Sequence, residues 1–447
     1  MKQLKNNLRE LLKYPSAIFG SIIVLALIIS AIVVIIKIPY NEAISTWRGG
    51  EAVVGKNPRN VPPKYFNWFR KDKLVESLDL REGDEGVLIT EEVTEGGTPI
   101  KTVIFEIDYD YKSFPTELVV YFTSEYVEKQ PFVNIKWITP AEEEIRVGGF
   151  AIGKTHTYPL NQDEKLKKRL GNVNANIGLF LDPEVEQQVP VPGIYKLVIE
   201  TITFEPESTV NAEFVMHGQV FGWAGTDHMR RDLLLPILWG IPIALAFGLL
   251  AALGTSVLTM TIAAIGTWYA GIVDGIIQRI TEINLVLPFL SILIMIGTFY
   301  SRSIWTILGA TVALSIFTGG IKQYRAIFMQ VKESTYIEAA RAYGASDKRI
   351  IFRYLIPRII PLLIPGLVSA VPAFVFLEAS LALLGLGDPV LPTWGKTINE
   401  AYANAALYRG WYYWIVQPAV LLMITGLGFA SLGFALDRVF NPRLRGM

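Results

Sequence analysis

Tyr336-Ile-Glu-Ala-Ala-Arg-Ala-Tyr-Gly-Ala-Ser-Asp-Lys-Arg-Ile-Ile-Phe-Arg-Tyr-Leu-Ile-Pro357 orders the rest of this chain. It belongs to a charged segment, Lys322–Arg358, too polar to enter a bilayer, yet uncharged runs flank it at Ser303–Ile321 and Ile359–Leu377. A polar loop between two such runs places it at a membrane surface. Locally the pattern predicts a short helix around Glu338–Tyr343 with Gly344 as its stop. A second helix starts at Ser346 or Asp347 as N-cap and halts before Pro357. Ala339 and Ala340 are small enough to let another surface approach closely. A solvated connector is the bland alternative for this amphipathic loop.

Working outward, further uncharged runs occur at Ser16–Ile36, Leu233–Val273, Ile283–Ser301 and Gly410–Leu436. A helix rises about 1.5 Å per residue and a hydrocarbon core is about 30 Å thick, so the six runs read as six spans. The overall composition agrees, with 51% hydrophobic residues and a mean hydropathy of +0.36. Pro15 suits the first turn of the first span. That run is longer than a secretory h-region and ends in Lys37, Ile38, Pro39 and Tyr40, so it reads as an uncleaved anchor rather than a signal peptide. The Leu233–Val273 run holds Pro236, Gly240 and Pro242. Its first part is expected along the interface, with the span beginning near Ile241.

Basic residues set the orientation, since short cytoplasmic segments carry the excess of Lys and Arg. With the N-terminus inside, the cytoplasmic segments hold Lys2, Lys5, Arg9, Arg279, Lys322, Arg325, Lys332, Arg341, Arg438 and others, while short external loops hold only Arg302, Lys396 and Arg409. Both termini are then cytoplasmic in a multi-pass protein of the cell membrane. The expected organisation is a terminus and first span at 1–38, an extracytoplasmic domain at 39–225, and a membrane core at 226–447 that contains the 322–358 loop.

The outer region differs in kind. Ile38–Met229 holds 30 Asp and Glu against 19 Lys and Arg, so an acidic domain is joined to a basic membrane part within a formally neutral chain. Alternating β-branched and aromatic runs at Thr102–Tyr109, Glu117–Phe122, Phe132–Trp137, Gly193–Glu200 and Val210–His217 predict antiparallel strands of an all-β, sandwich-like domain. A small helix is expected near Asp163–Leu170. With no cysteine, this domain folds without disulfides. Exposed aromatics in Pro62–Arg70, among them Tyr65, Phe66, Trp68 and Phe69, suggest either docking of a partner or packing on the domain's own base.

Catalytic signatures are missing from the sequence. Gly395-Lys396-Thr397 is the nearest lookalike of a phosphate loop, but Val390 stands where that loop needs glycine. His156, His217 and His228 have no metal-ligand spacing, and no GxSxG occurs. No ring of charges suggests a channel, and nothing suggests nucleic acid. Glu378 is the most interesting ionisable residue, because a charge in hydrocarbon costs about 2.5–3.5 kcal/mol on insertion scales. It reads either as a pore or gate residue or as a structural anchor. Asp274, Arg279 and Glu282 read as a surface ion-pair network.

The Glu338-Ala-Ala, Gly344 and Pro357 register resembles the EAA motif of ABC importer permeases, with Tyr354 and Ile356 as apolar exchanges within it. Gly225-Thr-Asp-His-Met-Arg-Arg-Asp232 resembles the GTDxxGRD of the dipeptide and oligopeptide branch, with Arg230 in place of its second glycine. Glu378-Ala-Ser-Leu-Ala-Leu-Leu-Gly-Leu-Gly387 resembles EASLSFLGLG, and Asn441-Pro-Arg-Leu-Arg445 resembles that branch's terminal DPRLR. The resemblance implies a type I ABC importer permease fold, specifically the C-type transmembrane subunit, with an enlarged outer domain. It assigns ATPase coupling to Glu338, Ala339, Ala340, Arg341 and Gly344. It also implies a homologous second permease, two ATP-binding cassette subunits that hold ATP and Mg, and an extracytoplasmic solute-binding protein; the chain itself carries no cofactor. Peptide is the expected cargo, with oligosaccharide as the alternative. A membrane-anchored sensor is the alternative of another class, told apart by whether ATPases or a signalling partner co-purify.

Overall fold

The computed structural model describes residues 13–49, 55–93, 99–181 and 189–440. The Asn441–Arg445 segment and the basic residues Lys2, Lys5 and Arg9 lie outside the described residues. The chain forms two compact units, one spanning Gly49–Leu234 and the other combining the residues up to Arg48 with those from Leu235 onward. The boundaries therefore fall later than the 38/39 and 225/226 expected from composition. Tyr40–Arg48 is a helix whose Ala43 and Trp47 are buried with Leu235 and Trp239. At the other boundary, Gly225–Leu233 hydrogen-bonds back onto the β unit through Thr226 N–H to the Val61 carbonyl.

Among its described residues the β unit contains nine strands: β1 (Leu78–Arg81), β2 (Val87–Val93), β3 (Pro99–Tyr109), β4 (Glu117–Glu125), β5 (Phe132–Ile138), β6 (Glu144–Ala151), β7 (Thr155–Pro159), β8 (Gly193–Ile202) and β9 (Thr209–His217). They form two sheets, ordered β1-β9-β4-β7 and β2-β3-β8-β5-β6, with every named pairing antiparallel. All five strands expected from the alternation are present. The period of two buries one face of β5 through Val133, Ile135 and Trp137 and of β3 through Phe105, Ile107 and Tyr109, and Phe214 and Met216 on β9 of the other sheet join the same cluster, although β4, β8 and β9 also bury consecutive residues. Trp137 is fully buried and its indole N–H donates to the Leu179 carbonyl at 3.0 Å. Truncating such a side chain costs about 3–5 kcal/mol. The expected small helix is Glu164–Arg169, capped by Asp163, whose carboxylate accepts from the Lys165 and Leu166 amides at 2.7 and 3.0 Å.

The membrane unit consists of α1 (Pro15–Lys37), α2 (Tyr40–Arg48), α3 (Leu234–Tyr269), α4 (Gly271–Val286), α5 (Phe289–Phe299), α6 (Ile304–Ile316), α7 (Gly319–Lys332), α8 (Thr335–Ala342), α9 (Ile356–Leu381), α10 (Trp394–Ala403) and α11 (Tyr413–Phe440), with a single turn at Asp347–Ile350 before α9. Among the described residues, four helices are long and apolar enough to cross a membrane: α1, α3, α11, and α9 extended as Asp347–Leu386; the number rises to six if each of two bent pairs is one span. These pairs are α4 with α5, bent by 80°, and α6 with α7, bent by 49°.

Three expectations need correcting. The Leu233–Val273 run does not break near Ile241: α3 is one helix of 36 residues, about 54 Å long. Pro236 falls in its first turn, where an amide would lack a partner anyway, and Pro242 is accommodated within the helix. Gly240 is kept small because a Cβ there would lie 2.2 Å from the Trp394 ring. The Ile283–Ser301 run is no straight span. Only Phe289–Phe299 of it continues beyond the bend, because Pro288 pushes Leu287 to an extended backbone, φ −68° and ψ 138°. Nor does Pro357 halt a helix. A π turn at Ile351–Leu355 leads directly into α9, with Pro357 in its first turn, so Asp347–Leu386 runs on as one long element.

Close helix crossings pack this unit. A Cβ at Gly428 of α11 would lie 2.5 Å from the Ile23 side chain of α1, so the two helices meet through glycine. Their shared cluster includes Val24, Leu27, Val371, Val375, Leu422 and Phe429.

Candidate functional site

The polar loop folds around the end of α3. Ile337 is the one fully buried residue of α8 and packs in a cluster with Met260, Ala263, Ala264 and Trp268 of α3 and with Phe328 of α7. Two cations complete the seat. Lys332 donates to the Thr267 and Trp268 carbonyls, each at 3.0 Å, supplying a positive charge at the C-terminus of α3 where its carbonyls lack helical partners. The Arg341 guanidinium lies 4.3 Å from the centre of the Trp268 ring.

The helix starts one turn earlier than expected, at Thr335, and ends at Ala342. Gly344 N–H bonds to the Arg341 carbonyl at 2.9 Å and Ala345 N–H to the Ala340 carbonyl at 3.0 Å, the paired bonds of a Schellman stop. Gly344 has φ +79°, and a Cβ there would meet nothing within 4 Å. Glycine is therefore required by backbone conformation, not by space. Ser346 is the N-cap of the next turn, although its side chain makes no capping bond.

The outward surface of α8 is composed of Glu338, Ala339, Arg341, Ala342 and the almost fully exposed Tyr343, with Ala340 half-buried. Thus the residues singled out from sequence lie together, with Ile337 as their anchor. Ile337 and Trp268 escaped the sequence reading; an apolar residue inside the amphipathic loop was the available signal for Ile337. Behind this seat, Ile350, Ile351 and Leu355 join the same cluster and connect it to Ile356 and Ile359 of α9. Nearby, Asp274 accepts a two-pronged ion pair from Arg325, Nη2 to Oδ2 at 2.6 Å and Nε to Oδ1 at 2.8 Å, while Arg279 and Glu282 form an exposed pair at 3.3 Å.

Glu378 is elsewhere, buried on α9 and hydrogen-bonded to Thr393, the N-cap residue of α10. It borders a small cavity with Arg302, Leu386 and Asp388. Gly395 of α10 presses against α9, since a Cβ there would lie 2.6 Å from the Ala379 Cα. Asp388 accepts from the Ile304 amide at 2.9 Å at the start of α6, and Asn399 donates to the Ala382 and Leu383 carbonyls at 3.0 and 2.7 Å. These bonds tie α9, α10 and α6 together at one end. Lys396, in the phosphate-loop lookalike, donates to the Asp388 and Pro389 carbonyls.

The Gly225–Asp232 segment belongs to the β unit and forms a clasp. Buried Asp227 accepts from the Met229 and Arg231 amides at 2.8 and 2.9 Å and pairs with Arg231 Nε at 2.6 Å. Arg230 has φ +64°. His217 is buried beside it, with burial and the neighbouring Arg230 charge pushing its imidazole down to about 4. Among the described residues no group of three or more His, Asp or Glu side chains could hold a metal ion.

Comparison with known proteins places these features in context. Residues 260–446 match the family of binding-protein-dependent transport system inner membrane components. The chain is similar to a glutathione transport system permease protein of Pectobacterium atrosepticum, 29% identical over half of this chain and 73% of that protein. It is also similar to dipeptide transport system permease proteins of Bacillus subtilis, 29% identical over 50% of this chain and 69% of the relative, and of Lactococcus lactis subsp. cremoris, 30% identical over 49% and 63%.

Proposed function

Because residues 260–446 match the family of binding-protein-dependent transport system inner membrane components, we propose that this chain is the permease subunit of an ATP-driven peptide importer, driven through α8. The reading rests on the seating of that helix: Ile337 and Arg341 fasten it to the end of α3 at Trp268, where Lys332 at the end of α7 also binds, while Glu338, Ala339 and Tyr343 face outward.

Each bent helix pair counts as one span in this reading, giving six, with both termini cytoplasmic and Gly49–Leu234 outside as a β-sandwich. α8 then docks against a partner ATPase. ATP and Mg bind in that partner, and this chain does no catalysis of its own. Closure of two ATPase subunits pushes on Glu338–Gly344; the load enters α3 at Trp268 and α9 through Ile350–Leu355. A pore formed with a homologous second permease changes the side to which it opens, and a loaded solute-binding protein favours the outward-open state only by its differential affinity for it. Glu378 serves as an anchor holding α10 against α9, which its buried bond to Thr393 supports. Di- and oligopeptides are the favoured cargo, because similar permeases are named for dipeptide and glutathione transport.

The complex purified from its native operon into nanodiscs tests this. ATP hydrolysis stimulated by binding protein with peptide, and lost in Glu338→Lys and Gly344→Trp while the helices stay folded, is the expected result. Stimulation by oligosaccharide alone changes the cargo and keeps the machine; absence of any associated ATPase overturns the reading.

A further inference from the structure

The β unit is strongly acidic except along one stretch. Residues 55–73 hold Lys56, Arg59, Lys64, Arg70, Lys71 and Lys73 against Asp72 alone, a net of +5, whereas residues 74–229 carry a net of −15. The same stretch contains the most exposed aromatics of the unit. Phe69 is 84% exposed and Trp68 72%, and Trp223, 64% exposed, comes from a distant part of the chain to meet Trp68 edge to face at 6.1 Å between ring centres. Beneath them lies a cleft of about 580 Å³ whose lining includes Lys64, Tyr65, Trp68, Lys73 and Trp223 and one carboxylate, Glu76.

Large amphipathic rings beside Arg70, Lys71 and Lys73, with Lys64 paired to Glu76 at 2.9 Å, match the chemistry of a membrane–water interface, where aromatic rings sit at headgroup level and Lys and Arg meet anionic phosphates. A soluble acidic domain gains nothing from leaving three such rings in water. Chain length is compatible: Trp223 precedes α3 by eleven residues, which reach at most about 40 Å when extended. We propose that Trp68, Phe69 and Trp223, with Lys64, Arg70, Lys71 and Lys73, form a lipid-docking patch that beds the β unit on anionic phospholipid headgroups. The inference uses the reading of this chain as a membrane-spanning permease. An exposed aromatic surface also suits a protein partner, but the local positive charge within an acidic unit favours a phosphate surface.

The chain has no cysteine, so single spin labels can be placed cleanly. Trp68→Cys, Phe69→Cys and Trp223→Cys are labelled in the full-length chain in nanodiscs of phosphatidylcholine, with or without phosphatidylglycerol; Phe69→Cys keeps both tryptophans. Ile22→Cys on α1 and Val127→Cys at an exposed turn of the β unit are controls. The patch labels are expected to collide with oxygen in preference to a water-soluble nickel chelate, as Ile22→Cys does and Val127→Cys does not. The preference should be stronger with phosphatidylglycerol and weakened by Arg70→Glu with Lys71→Glu. Patch labels that behave like Val127→Cys overturn the proposal, and labels shielded from both reagents overturn it in favour of a protein covering the patch. A water-exposed Ile22→Cys would instead sink the membrane reading itself.

Discussion

The Arg230 guanidinium donates to the Glu117 carboxylate at 2.6 Å from a backbone held at φ +64°. The peptide-permease motif that Gly225–Asp232 resembles has glycine at this position, and the left-handed backbone explains why. An L-residue there is strained by about 1–2 kcal/mol. Arg230 offsets this strain by also donating to the Asn57 carbonyl at 2.8 Å, so a side chain that the motif lacks clasps the added β unit.

Substitution separates the two contributions. Arg230→Ala loses both bonds and keeps the strain, whereas Arg230→Gly loses the bonds and relieves it. Glu117 is partly exposed, so solvent screening discounts the ion pair and the alanine loss is expected near 2 kcal/mol, with glycine about 1 kcal/mol milder. Denaturant-dependent hydrogen exchange across the β unit checks this. Equal losses in the two variants would mean that the backbone is unstrained.

His217 gives the β unit an acid limit. Its folded value of about 4 lies below the ordinary 6.5, through burial first and then through Arg230. The unfolded chain therefore takes up a proton that the fold refuses. Stability from this group is fully present above pH 6.5 and is lost as pH falls towards 4, by up to about 3 kcal/mol. Asn or Gln at 217 should flatten this part of the stability–pH profile, which melting between pH 4 and 7 records.

Gly344 has open space around it and a positive φ, so its replacement should depend on backbone preference rather than bulk. Gly344→Ala and Gly344→Val are both expected to cost about 1 kcal/mol or more at the end of α8, and Gly344→Asn less. Transport per ATP hydrolysed should fall in that order. A steady decline with side-chain volume would show that the docked ATPase sits directly on that residue and that bulk, not backbone preference, limits it.

Trp268 is where the short helix meets the long one. Trp268→Ala should remove the stacking of Arg341 and open the pocket around Ile337, at about 3–5 kcal/mol locally. Arg341→Ala should cost less, about 0.5–1 kcal/mol at this exposed site. ATP hydrolysis that persists while transport is lost is the expected phenotype of Trp268→Ala in the reconstituted complex. Parallel loss of both would indicate that ATPase binding has failed.

Much of this architecture could be read before any coordinates. Apolar run length and the imbalance of Lys and Arg are sums over neighbouring residues, so the apolar helices and the separate acidic β unit were legible. Period-two burial likewise located five of the nine strands, the longer ones among them. Gly344 and the small face of the loop helix were visible because a helix stop is a local event.

What escaped depends on residues far apart in the chain. Proline at 236, 242 and 357 looks alike in sequence to proline at 288, yet only Pro288 marks a sharp bend. There Asn284 reaches across to the Leu314 and Phe317 carbonyls at the end of α6, at 2.9 and 2.8 Å. Gly240 could not be distinguished from a helix breaker until Trp394, 154 residues later, was seen against it. Composition and spacing, being additive along the chain, determined which segments are membrane-apolar and which form the β unit. Whether a given proline bends, which ring fills a glycine's gap and which carboxylate meets Arg230 were decided only by tertiary packing, because each depends on a partner whose position local sequence does not encode.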